Sequence, residues 1–138
     1  MTSTQVISNI IYNFWRALDN GEYNRVALLL TADCVWHRDT ILQGREAILE
    51  ALQQRPASML TRHQVTNLTI AGDDASTAEF LVTTFGTMVS GTQAGPPDCG
   101  TPAVIVDVAM RFECVEDQNL ICEIRNHLVF LRPRVGSG

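Results

Sequence analysis

The sequence predicts an α+β domain in which three N-terminal helices pack on one face of a curved, mostly antiparallel sheet. Three observations carry this. Apolar residues recur at spacings of three and four in the first part of the chain, and they alternate singly from Thr61 onward. A tight polar connection, "EDQN" at residues 116–119, separates the last two alternating runs as a hairpin turn would. Helices first and a run of strands afterwards is the order of an α+β architecture.

The first helix rests on Val6, Ile7, Ile10, Ile11, Phe14, Trp15 and Leu18, behind the potential caps Ser3 and Thr4. It runs into "DNGEY", where Asn20 and Gly21 suit the left-handed backbone of a helix stop. A second short helix is expected around Tyr23 to Leu30, a short strand at "CVWH" (residues 34–37), and a third helix over "GREAILEALQQRP", closed before Pro56. Four longer strands follow, near Thr61 to Ile70, Ala75 to Val89, Ala103 to Val115 and Leu120 to Leu131. The Gly- and Pro-rich "SGTQAGPPDCGTP" reads as a long loop.

One strand breaks its own alternation. Val65 has odd parity, whereas Leu68 and Ile70 have even parity, so the apolar side changes near Thr66 and Asn67. A β-bulge is the natural cause, and bulges re-aim side chains beside sites. His63 stands just ahead of the switch.

The 138 residues are the length of one domain, spanning 1–138. No apolar run approaches the roughly 18 residues that a membrane helix requires. The N-terminal "MTSTQVISNI" lacks a basic flank and a long apolar stretch, which leads us to expect a cytoplasmic protein. A formal charge of −5, with ten Lys and Arg scattered along the chain, offers no basic stripe for nucleic acid. The cysteines Cys34, Cys99, Cys114 and Cys122 form no C-x-x-C pair and read as small reduced core residues; no metal and no cofactor are expected.

Asp19 also fits its setting poorly. It extends the apolar stripe of the first helix, four residues after Trp15, and lies in the last turn, where the helix dipole opposes an anion. A carboxylate so placed usually has a partner. Taken alone, though, such an aspartate is more often a turn residue, and a single histidine at a strand end more often a surface or core group, than a working pair. An asparagine fits the same helix end, so Asp19→Asn is expected to leave folding nearly unchanged.

The order "ALDNGEY", "DCVWHRDTILQGREAI", "TRHQVTNLTI" and "EIRNHLVF" resembles the SnoaL-like branch of the nuclear transport factor 2-like superfamily, and within it the group of scytalone dehydratase and hexachlorocyclohexane dehydrochlorinase. The resemblance covers about Ile7 to Leu131. It implies a cone-shaped, cystatin-like fold around one deep apolar pocket. It also implies an Asp19–His63 dyad, a pocket tryptophan at Trp36 and a pocket arginine at Arg125. Where the dehydrochlorinase carries a lysine that assists halide departure, this chain has Phe14, which argues against dehydrochlorination itself.

In that setting His63 would be the base that takes a carbon-bound proton and Asp19 the group that orients it. Arg125 would bind a leaving group or a developing oxyanion. Tyr12, Phe14, Trp15 and Trp36 would supply aromatic walls, and His37 and Asp39 a polar edge beside Trp36. The function expected is a cofactor-independent lyase or isomerase on a small, apolar, cyclic molecule. Two rivals stand beside it: a non-catalytic ligand-binding or accessory domain like the small subunit of ring-hydroxylating dioxygenases, and polyketide-cyclase-like or ketosteroid-isomerase-like chemistry with a carboxylate such as Asp39 as base. The resemblance further implies a homo-oligomer, dimer or trimer.

Overall fold

A computed structural model describes residues 3–72, 75–89, 95–98 and 100–132. The element order is α1 (Ser3–Asp19), α2 (Tyr23–Leu28), β1 (Leu30–His37), β2 (Ile41–Gln43), α3 (Arg45–Gln53), β3 (Met59–Ala71), β4 (Thr77–Met88), β5 (Val104–Val115) and β6 (Gln118–Leu131). The strands form one sheet in the order β2-β1-β6-β5-β4-β3. All neighbours are antiparallel except β1 and β6, which run parallel. The α+β class with three helices in the N-terminal half is therefore present among the described residues.

The stripe of α1 buries Ile7, Ile11, Phe14, Trp15 and Leu18 in one cluster with Trp36, Val82, Val108, Met110 and Ile124 from the sheet. The helix stops through a Schellman motif: the Glu22 N–H donates to the Ala17 carbonyl at 2.8 Å, the Gly21 N–H donates to that of Leu18 at 3.1 Å, and Gly21 adopts φ +72°. That stop makes Asp19 the last helical residue and fixes the direction in which its side chain leaves the helix.

β3 has the break that its alternation predicts. Thr61, His63 and Val65 turn inward, then Leu68 and Ile70, and the register with β4 shifts between Thr66 and Thr69, with Asn67 at φ +56°. The β5–β6 hairpin closes through Glu116 and Asp117, both at positive φ, between the paired Val115 and Gln118. Two left-handed central residues define the primed two-residue turn whose twist suits antiparallel strands.

Three expectations need correction. β1 begins at Leu30 rather than Cys34, because its register on β6 shifts between Leu30 and Val35 and erases the alternation over that stretch. The short β2 carries too few residues for a periodic signal. Cys34 and Cys122 are buried, but Cys114 is exposed, two residues past Phe112, where the buried row of β5 ends. Cys99 and residues 90–94 of the predicted loop lie outside the described residues. No described helix is long and apolar enough to cross a membrane.

A left-handed residue at the bulge makes a direct stability prediction. Asn67→Val should cost about 1–2 kcal/mol, the strain of a Cβ in that backbone region. Asn67→Gly should stay within about 0.5 kcal/mol of wild type. Urea melts of both variants check the pair, and equal melts would contradict the bulge.

Candidate active site

Asp19, at the end of α1, and His63, on β3, meet. The Nδ1 of His63 lies 2.5 Å from Asp19 Oδ1, the His63 backbone N–H donates to Asp19 Oδ2 at 2.8 Å, and the Thr61 hydroxyl donates to Oδ1 at 2.9 Å. The His63 backbone donor is free because β3 is the edge strand of the sheet. Both side chains are nearly buried, 11% exposed for His63 and 7% for Asp19.

Burial pushes the Asp19 carboxyl upward, but the His63 ring hydrogen bond and charge, the His63 backbone N–H and the Thr61 hydroxyl together outweigh it. The carboxyl ends below its ordinary 3.8. It is thus an ionised acceptor near neutral pH, and an ionised carboxylate cannot donate. Nδ1 must therefore carry the hydrogen. In the neutral ring this leaves Nε2 with a bare lone pair, the form a general base needs. No described residue bonds Nε2. The indole of Trp15 packs against the imidazole, ring centroids 4.8 Å apart and tilted by 35°.

His63 lines a cavity of about 370 Å³. Its walls are apolar: Leu18, Leu52, Val82, Val104, Val106 and Val108, with Trp15 and Trp36. Its polar groups are Asn126, Thr84, Arg38 and Arg55. The Trp36 indole N–H donates to Asn126 Oδ1 at 3.2 Å. An indole nitrogen can only donate, so this bond fixes the amide and leaves the Asn126 NH₂ group available. Among the described residues no group of three His, Cys, Asp or Glu side chains gathers as a metal site would require.

Several expected residues stand elsewhere. Phe14 is buried behind the cavity, edge-on to Trp15 and Trp36, and does not line it. Tyr12 is 48% exposed and borders a second hollow, about 300 Å³, on another side of the dyad. Arg125 and His37 face the outer side of the sheet. Ile124 and Trp36, their strand neighbours, point inward, and alternation sends the next residue out. There Arg125 pairs with Glu123 at 3.2 Å, and His37 Nε2 lies 3.5 Å from the same carboxylate. Asp39 is 79% exposed in a turn, accepting from Arg38 Nε at 3.2 Å and the Thr40 N–H at 3.0 Å.

Several polar residues of the site escaped the sequence reading. Thr61 shares the parity of His63 two residues earlier, a signal that was available. Asn126 follows Ile124 at the same spacing, but the register shift near Cys122 obscured which parity of β6 faces inward. Arg55, just beyond α3, reaches back to the end of α1: its Nη1 donates to the Leu18 carbonyl at 3.3 Å and its Nη2 to Thr61 Oγ1 at 3.1 Å. Nothing in the local sequence announces that contact.

The chain belongs to the SnoaL-like domain family of the nuclear transport factor 2-like superfamily, the family model matching residues 1–120. Among curated proteins no sequence matches it. Solved structures share its fold. A protein from Catenulispora acidiphila is 24% identical, with 91% of this chain and 90% of that one covered and a TM-score of 0.72. The type 3 hexachlorocyclohexane dehydrochlorinase of Novosphingobium barchaimii is 17% identical, covering 97% and 91%, with a TM-score of 0.71. A candidate scytalone dehydratase from Novosphingobium aromaticivorans is 16% identical, covering 98% and 94%, with a TM-score of 0.70.

The three donors on Asp19 revise the expectation for its asparagine variant. Asn offers one acceptor oxygen and places an NH₂ against a donor, so Asp19→Asn should lose about 1–3 kcal/mol near neutral pH. Folding lowers the Asp19 pKa, so the carboxylate's contribution is complete above the unfolded value of 3.8 and is lost as pH falls through the lower folded value. The stability gap between wild type and Asp19→Asn should therefore narrow steadily below pH 3.8 in urea melts. A gap that widens there would contradict an ionised Asp19.

Proposed function

We propose that this protein is a cofactor-independent lyase or isomerase acting on a small, largely apolar, cyclic molecule. The observation that carries this is the 2.5 Å contact of His63 Nδ1 with the buried Asp19 carboxylate, which leaves Nε2 unpartnered in the ring that lines an apolar cavity. Nε2 takes a proton from substrate carbon, and Asp19 stabilises the imidazolium that forms. In an elimination the C–H electrons form the new double bond as the C–O bond breaks, and the departing hydroxide collects the proton from His63 as water. In an isomerisation the same imidazolium returns the proton to a different carbon.

Trp15 and Trp36 supply flat walls against which a ring can lie. The free NH₂ of Asn126 is placed to donate to a substrate oxygen that gains charge as the proton leaves. The neighbouring folds include a dehydrochlorinase, which supports elimination chemistry as a class, while Phe14 removes the helix-1 cation that halide departure would use. A carboxylate base at Asp39 has no geometric support, since that group lies in an exposed turn held by Arg38 and Thr40. The exposed run Leu128 to Leu131 on β6 is the surface that a homo-oligomer would cover.

Proton abstraction can be read without knowing the leaving group. Incubating the protein in D₂O with cyclic β-hydroxyketones should give His63-dependent deuterium exchange beside the carbonyl, seen by NMR. His63→Gln should abolish exchange while ligand affinity stays within about tenfold, or 1.4 kcal/mol, because a base acts in the transition state. Exchange at the wild-type rate in that variant would remove His63 from the role.

A further inference from the structure

We infer that the substrate of this cavity is an anion, carrying a carboxylate or an equivalent acidic oxygen that Arg55 binds; this rests on the cavity being the ligand site of the proposed reaction. The lining contains two guanidinium groups, one imidazole and no carboxylate. Arg38 is exposed and already paired with Asp39 at 3.2 Å, so its charge is partly met. Arg55 is different. It is half-buried, and no carboxylate among the described residues lies within 4.0 Å of it.

Its described hydrogen bonds go to the Leu18 carbonyl, Thr61 Oγ1 and, at 3.7 Å, Met59 Sδ. A guanidinium has five N–H donors, and a planar anion that displaces the weak 3.7 Å contact to Met59 Sδ frees the Nη2 hydrogen that a bidentate fork needs. The Asp19 carboxylate lies one hydroxyl away through Thr61. Asp19 is engaged by His63, and when His63 gains the substrate proton the carboxylate and the imidazolium balance each other. The electron pair that the proton leaves behind stays on the substrate, and Arg55, half-buried with its guanidinium 5.9 Å over the Tyr23 ring, is the cation of the lining left to meet a negative oxygen there.

A second observation points the same way: the NH₂ of Asn126 adds another donor to the lining, so the walls present donors in excess of acceptors. A neutral hydrocarbon would leave them unmet.

The test uses the full chain and its two tryptophans, Trp15 and Trp36, which both line the cavity and report occupancy by fluorescence. Cyclohexanecarboxylate is titrated against its uncharged isostere, cyclohexanecarboxamide. The carboxylate should bind at least about tenfold more tightly to wild type, and Arg55→Gln should reduce that preference to within about threefold. Arg55→Lys keeps the charge while losing the fork, so part of the preference should return; this variant decides the matter where the glutamine variant melts early. His63→Gln should retain the preference. Equal binding of the two probes to wild type overturns the inference, as does a preference that survives in Arg55→Gln or vanishes in His63→Gln. An anion preference that persists in a protein catalysing no proton exchange would keep Arg55 as the anion site and remove only the lyase or isomerase reading.

Discussion

A single buried carboxylate joins the helices of this protein to the edge of its sheet. Asp19 ends α1, where the dipole and the loss of water both disfavour its charge. It stays ionised because β3 brings three donors to it: the His63 backbone N–H, the His63 ring and the Thr61 hydroxyl. Only an edge strand can spare a backbone N–H for such a bond, since an interior strand would have committed it to a neighbour. Position in the sheet and chemistry at the site are therefore the same fact.

The contact also organises what surrounds it. Arg55 closes the far side of the network, holding the last turn of α1 through the Leu18 carbonyl and Thr61 through its hydroxyl. α1 and β3 thus meet at one carboxylate and Arg55 joins them through Thr61, so a shift of any of them would be felt at the imidazole. Such fixed polar partners hold the His63 tautomer and ring orientation within a narrow range. Trp15 limits the ring from its face.

The cavity itself follows from the sheet's interior surface. Val104, Val106 and Val108 on β5 and Val82 on β4 give it small branched walls, and the two tryptophans close it from α1 and β1. Phe14 contributes from behind, by packing edge-on to both tryptophans rather than by touching the space. The result is an apolar volume whose polar groups sit at few points, which is how pockets combine affinity with orientation.

Much of this was written in the order of residues. The stripe of α1, the Asn20–Gly21 stop, the parity switch at Thr66 and Asn67 and the polar turn after Val115 each follow from local backbone physics, and each element formed where its local signal stood. Even the oddity of Asp19 was visible, as a charge on an apolar stripe at the wrong end of a helix. Alternation alone also rules that Trp36 and His37 cannot share a face, so one of them had to leave the pocket. Tertiary structure decided the rest. Which parity of β6 faces inward depends on a register shift at Cys122, and that choice admits Asn126 and excludes Arg125. Arg55 meets Thr61 and Leu18 only because α3 ends beside the last turn of α1, a juxtaposition between segments distant in sequence. Periodicity determines what a residue's neighbours along the chain allow; the partner of a buried charge is chosen by how the elements pack.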